Sequence, residues 1–216
     1  VVCITFDDNY PNVYENALPE MNKYGFRATT FINCGNVSNP FYMHWDKLDE
    51  LYHLYKWEIG GHTLNHNNLF HLSYTQAEYV IKSDYDSLVA HGYSPVSFAT
   101  SFGICPLEYH PIITKYYKNL RIVSDNPMYT PINRAYIGCF YVTIRTSPRL
   151  VESRIRQAII EKESLVVLLF HRIAEGLTMD SNYEPDKFAE LMQRLAKLDV
   201  KVLPLNEALD YLEDTD

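Results

Sequence analysis

The chain has 216 residues, 47% of them hydrophobic, and a formal net charge of −8. That length suits one folded unit with a sizeable core, and an acidic balance without clustered Lys and Arg argues against a nucleic-acid partner. No stretch reaches the roughly 18 consecutive apolar residues of a membrane helix, and the start lacks the basic region of a signal peptide. Because the first residues already form an apolar run and no methionine precedes them, the chain reads as a single domain over residues 1–216, trimmed at its N-terminus.

In chain order, Val1–Phe6 is an apolar run predicting a strand, and it ends in two adjacent carboxylates, Asp7 and Asp8. A second strand is expected over Ala28–Asn33, followed by a rim loop, Gly35–Pro40, and a third strand over Trp57–Ile59. Then come His62-Thr63-Leu64-Asn65-His66 and an asparagine-rich loop. Thr75–His91 carries an apolar stripe of Ala77, Val80, Ile81 and Leu88 at helical spacing. Ser97–Ala99, Arg121–Ser124 and Tyr141–Ile144 read as further strands. Ser147–Glu163 is a helix by its stripe of Leu150, Ile155 and Ile159. The run Leu165–Phe170 predicts a buried strand ending in His171, and Lys201–Leu203 a last one. Strands alternating with helical patterns imply a parallel sheet covered by helices, and seven or eight such units close best as a barrel.

The chemistry-bearing residues sit at the ends of these strands. Neighbouring residues leaving a strand point in different directions, so Asp7 and Asp8 need not share a role. A spacing of four places His62 and His66 on one side of a helical turn, where two imidazoles and one carboxylate can hold a divalent metal with positions left open. Each cluster alone has a plainer reading. Asp7-Asp8-Asn9 suits a helix cap, His-x-x-x-His without the metalloprotease Glu is weak, and a lone His171 after a strand is usually structural. Three polar clusters at the ends of separate parallel strands are the pattern by which barrels assemble active sites.

Thr5-Phe6-Asp7-Asp8, His62-Thr63-x-x-His66 and Leu169-Phe170-His171 resemble three motifs of the polysaccharide deacetylases, the carbohydrate esterase family 4 enzymes with the NodB homology domain. Tyr14–Pro19 is similar to that family's first helix and Phe26–Ile32 to its second strand. The resemblance implies an α/β fold, a distorted (β/α) barrel, in an extracellular or cell-envelope setting. It implies Asp7 as general base, Asp8, His62 and His66 as ligands of one divalent metal ion, and His171 as general acid. Leu169 would help form the pocket for the acetyl methyl group. Zinc is favoured by ligand type, while cobalt, nickel or iron suit similar ligands. The substrate implied is an acetylated oligo- or polysaccharide, foremost one containing N-acetylglucosamine, with acetyl amides or esters as the bonds cleaved.

Two motifs depart from the family pattern. The third, Arg-x-Pro-x-Gly, aligns with Ala99-Thr100-Ser101-Phe102-Gly103, so the arginine that tethers the catalytic Asp is missing. The backbone N–H of Phe102 can still serve an oxyanion. Arg121, expected to open a strand, either supplies the tether from elsewhere or is a surface arginine. For the fourth motif, Asp125 is either the acidic partner of His171 or part of the Asp-Asn-Pro turn that follows. Two other functions fit the sequence: a carbohydrate-binding domain that keeps the metal without turnover, and an amidohydrolase of small non-sugar amides. Cys3 and Cys34 read as buried thiols, with a Cys105–Cys139 disulfide left open. Of the remaining histidines, His71 is the one near enough in sequence to support the site. Tyr10, Tyr42, Trp45, Tyr74 and Tyr129 are loop-borne aromatics able to stack on sugar rings or to pack half-buried.

Overall fold

A computed structural model describes residues 1–176 and 179–215. Seven parallel strands form one sheet in the order β5-β4-β3-β2-β1-β7-β6. They are β1 (Val2–Asp7), β2 (Thr29–Ile32), β3 (Glu58–Gly61), β4 (Ser97–Ala99), β5 (Asn119–Arg121), β6 (Phe140–Tyr141) and β7 (Val166–Phe170). The sheet curls into a half-barrel whose edges approach through the segment before β6. There Leu120 N donates to Arg134 O at 2.7 Å and Ile122 N to Ile137 O at 2.9 Å. An eighth strand at Lys201–Leu203 is not formed; that stretch contributes a single parallel bridge, Val2 with Val202.

Helices α1 (Leu18–Asn22), α2 (Trp45–Asp49), α3 (Tyr74–Ala90), α4 (His110–Tyr116), α5 (Pro148–Glu161), α6 (Pro185–Leu195) and α7 (Leu205–Asp214) accompany the sheet. Their starts follow local chemistry. Ser73 and Gln76 form a reciprocal capping box on α3, and the Ser147 side chain accepts from Leu150 N at the start of α5. Beyond β7, two short parallel strands, β8 (Arg172–Ile173) and β9 (Asn182–Tyr183), form a separate ribbon.

The two-residue period of the strands sorts side chains between two cores. On β1, Val2, Ile4 and Phe6 face the helices, as do Val166, Leu168 and Phe170 of β7. The Phe6 ring stacks on Trp57 with centroids 5.6 Å apart and 8° between planes. Cys3, Val167 and Leu169 belong to the second core, with Phe31, Ala99 and Cys139. By the same alternation Asp7, at the end of β1, falls on the face of Cys3. All four cysteines are free thiols, so the expected alternative of a Cys105–Cys139 disulfide is corrected.

Candidate active site

The turn after β1 carries two left-handed residues, Asp8 (φ 71°) and Asn9 (φ 42°). Asn and Asp tolerate that conformation better than most side chains. Asp8 N donates to Phe31 O at 3.1 Å, and the Asn9 side-chain oxygen accepts from Asn33 N at 3.1 Å. The turn is thereby fastened to the end of β2, and the neighbouring carboxylates diverge.

His62 follows β3 directly, but the expected helical turn between His62 and His66 is absent. Thr63 (φ 65°) and His66 (φ 55°) are left-handed instead, so the two imidazoles converge through a tight loop rather than through helical spacing. Side chains from three other elements frame that loop. Asn33 donates to the carbonyls of His62 (2.6 Å) and Thr63 (3.0 Å), Ser101 donates to His62 O at 2.8 Å, and Asp84 accepts from His62 N at 2.9 Å. Gly61 leaves the space for this: a Cβ there would lie 2.1 Å from Tyr117 Oη and 2.9 Å from Asp84 Oδ2.

Asp8 Oδ1 lies 3.4 Å from His62 Nε2 and 3.3 Å from His66 Nε2. The other ring nitrogen of His62, Nδ1, is 2.8 Å from the Ala99 carbonyl. A carbonyl only accepts, so Nδ1 carries a proton, and in its neutral form His62 presents the Nε2 lone pair to a buried carboxylate oxygen. That oxygen has no hydrogen-bond partner among the described residues. Facing acceptors of this kind suit a cation between them, and the buried Asp8–His62–His66 group could hold a metal ion. The carboxylate is held in its charged form. Burial alone would raise the Asp8 carboxyl, but His62, His171 and His66 bring it well below the usual carboxylate range. Burial opposes a charge on His62, yet Asp7 and Asp8 outweigh it and raise its pKa. Burial lowers that of His66, whose ring packs 4.6 Å from that of Phe102.

Asp7 is turned to another partner. Both of its carboxylate oxygens lie 2.5 Å from Nη2 of Arg121, a side chain with no exposed surface. Arg121 closes β5 rather than opening a strand, which brings its side chain to the C-terminal rim of the sheet beside Asp7. Its guanidinium also lies 5.2 Å from the centre of the Phe31 ring. His171 follows β7, its Nε2 3.9 Å from Asp8 Oδ2 and its ring edge-on to Tyr141 at 5.5 Å. Burial lowers its pKa. Asp125 does not reach His171: it pairs with Arg154 at 3.1 Å, and His171 Nδ1 has no hydrogen-bond partner among the described residues. His71 is exposed on a short turn.

These groups line one cleft of about 520 Å³, walled by Tyr10, Phe102, Tyr141 and Leu169. Phe102 sits at φ 61° with Gly103 at φ 79°, so the turn forms without proline. Two features escaped sequence reading. Tyr141 ends the short strand beside β7, where nothing in the pattern marks a functional role. Asp84 had a signal: it continues the buried stripe of α3, and a carboxylate among core positions calls for donors. Those donors are the backbone N–H groups of Cys34 and His62, each at 2.9 Å.

A sequence profile described as polysaccharide deacetylase matches residues 1–120. The poly-beta-1,6-N-acetyl-D-glucosamine N-deacetylase of Staphylococcus aureus (strain MRSA252) is 40% identical over 73 residues, which are 32% of this chain and 25% of that protein. The matched part thus spans about a quarter of the length of this curated relative. Among solved structures, the family 4 acetyl xylan esterase from Clostridium thermocellum, in complex with a cobalt ion, matches with a TM-score of 0.68 at 15% identity, covering 97% of this chain and 90% of that one. The Streptococcus pyogenes deacetylase PplD in complex with acetate matches at 0.66 and 20% identity over 71% and 70%. At these identities the structural likeness establishes the fold.

Proposed function

Because the chain belongs to the polysaccharide deacetylase family, we propose that it is a metal-dependent hydrolase removing acetyl groups from an acetylated glycan, foremost one containing N-acetylglucosamine, and that residues 1–216 act as one domain. The observation that carries this reading is the meeting, in one cleft, of a carboxylate–imidazole group able to hold a metal with a second carboxylate engaged by arginine.

Asp8, His62 and His66 would hold one divalent cation, zinc by ligand type with cobalt, nickel or iron suiting the same donors, whose chemistry when bound is Lewis-acid polarisation of the acetyl carbonyl. Asp7 is the base that takes a proton from the attacking water. Arg121 orients it and supplies the counter-charge that a buried carboxylate requires. His171, on the far side of Asp8, protonates the nitrogen as its bond to the acetyl carbon breaks; without that proton the amine is too basic to leave. The Phe102 N–H is the donor for the developing oxyanion, and Leu169 receives the methyl group.

Acetate release from N-acetylglucosamine oligomers and acetylated xylan, compared between metal-stripped and zinc-, cobalt- or nickel-reloaded protein, tests this. Release that depends on metal is expected. Stoichiometric metal binding with no acetate from either substrate would instead favour a carbohydrate-binding domain without turnover. The observation behind that second reading is that His171 Nδ1 has no hydrogen-bond partner among the described residues, since an imidazole that no hydrogen bond orients is a poor acid.

A further inference from the structure

Beside the cleft lies a second concavity that the deacetylation scheme does not use. It has a volume of about 460 Å³, and its walls include Tyr14, Glu15, Tyr42, His44 and Asp46. The two hollows meet at a pair of aromatic rings: Tyr10, which lines the cleft, stacks on Tyr42 with centroids 5.7 Å apart and 16° between planes. Tyr10 is itself steadied by Arg172, the residue after His171, whose guanidinium carbon lies 4.0 Å from the ring centre. The loop carrying Tyr42 is anchored to the turn that bears the carboxylates. Met43, fully in the core, donates its N–H to Asn9 O at 2.7 Å, and Tyr42 N donates to Asn39 O at 3.0 Å. The second hollow therefore holds a fixed position relative to Asp7 and Asp8.

An aromatic wall with carboxylates at its margin is suited to a pyranose: the C–H face of the sugar packs on the ring and its hydroxyls donate to the oxygens. Among the described residues Glu15 and Asp46 make no ion pair, while the neighbouring Lys47 is engaged by Glu50 at 2.9 Å. We infer that Tyr42, with Glu15 and Asp46 at its margin, is the subsite for the sugar adjoining the acetylated one, so that the protein acts on an oligosaccharide lying across the Tyr10–Tyr42 ridge. The occupant rests on the deacetylase reading. Continuity with the cleft decides it, because a chain seated over Asp7 must leave across a rim and this rim leads into a second hollow of ligand size.

The test compares kcat/KM for acetate release from N-acetylglucosamine and from its tetramer, with metal-loaded wild type, Tyr42→Ala, Tyr42→Trp and a distant control, Tyr79→Ala on the exposed face of α3. In Tyr42→Ala the preference for tetramer over monomer should fall about tenfold, mainly through KM, and Tyr42→Trp should restore it. An unchanged preference in Tyr42→Ala, or an equal loss in Tyr79→Ala, overturns the subsite. If wild type releases no acetate at all, the deacetylase reading fails, and calorimetric titration with the tetramer still decides the subsite. Binding about fivefold or more weaker in Tyr42→Ala supports it; equal affinity, or no binding by either protein, overturns it.

Discussion

The Asp7–Arg121 pair couples stability to chemistry at a single contact. Arg121→Met leaves Asp7 buried without its counter-charge, and breaking such a pair costs about 3–5 kcal/mol. Adding Asp7→Asn should recover much of that loss, so a double-mutant cycle by urea unfolding is expected to give strong coupling; additive losses would mean that the pair is not formed. Asp7→Asn alone should keep metal stoichiometry while lowering turnover by about 10²–10⁴, measured by calorimetric metal titration beside acetate release. Asp7, Asp8, His62, His66 and His171 were legible because each ends or follows an apolar run whose periodicity is unambiguous. Arg121 was legible only as one of two alternatives, since its strand ends where it was expected to begin, which moves the residue from the N-terminal to the C-terminal rim of the sheet. Asp125 was left between two readings, and neither named its partner: turn chemistry fixes a backbone path but not a partner, and Arg154 lies 29 residues further along the chain.

At the scale of elements, α3 reaches under the His62 loop through Asp84. Burial raises the Asp84 carboxyl to about 6, whereas an unfolded aspartate titrates near 3.9. The folded chain thus binds this proton more tightly. Its stabilising contribution is full below about pH 4, is lost as pH rises through about 6, and is on the order of 3 kcal/mol. Asp84→Asn should flatten that decline, seen as a smaller change in urea midpoint between pH 4 and 6.5 than in wild type. It should also weaken the fold by about 1–3 kcal/mol, because an amide has one acceptor oxygen for the two N–H groups of Cys34 and His62. An identical pH slope in both proteins would exclude Asp84 as its source. Gly61→Ala should be more disruptive, since its Cβ collides with Tyr117 and Asp84 together; loss of metal affinity along with stability is the expected signature. The central strands and α3 were legible from apolar period, but α5 only as a helix: of its expected stripe Ile155 is buried while Leu150 and Ile159 are exposed, and the buried face is Pro148, Val151, Ile155 and Ala158. The His62–His66 loop was not legible, because the four-residue spacing of a helix and the convergence of a left-handed loop leave the same trace in sequence.

Across the whole molecule, metal binding should act as a folding ligand: at 100 times its dissociation constant, zinc is expected to stabilise the chain by about 2.7 kcal/mol. Thermal unfolding with and without zinc measures this, and His62→Ala should abolish the increment. The barrel class was legible because alternating units leave few ways to cover both faces of a parallel sheet, while the missing eighth strand was not, since a short apolar stretch near the C-terminus makes one bridge as readily as a strand. The sheet order also sets the order of assembly in time. Asp8 and the two histidines come from β1 and β3, with β2 alone between them, whereas Arg121 comes from β5, three strands intervening before β1. The triad can assemble as soon as the central strands pair; the arginine meets its carboxylate only after the sheet has curled enough to bring the end of β5 over the end of β1. A chain refolding from urea should therefore recapture zinc before it regains turnover, and the interval between the two recoveries would clock the closing of the half-barrel.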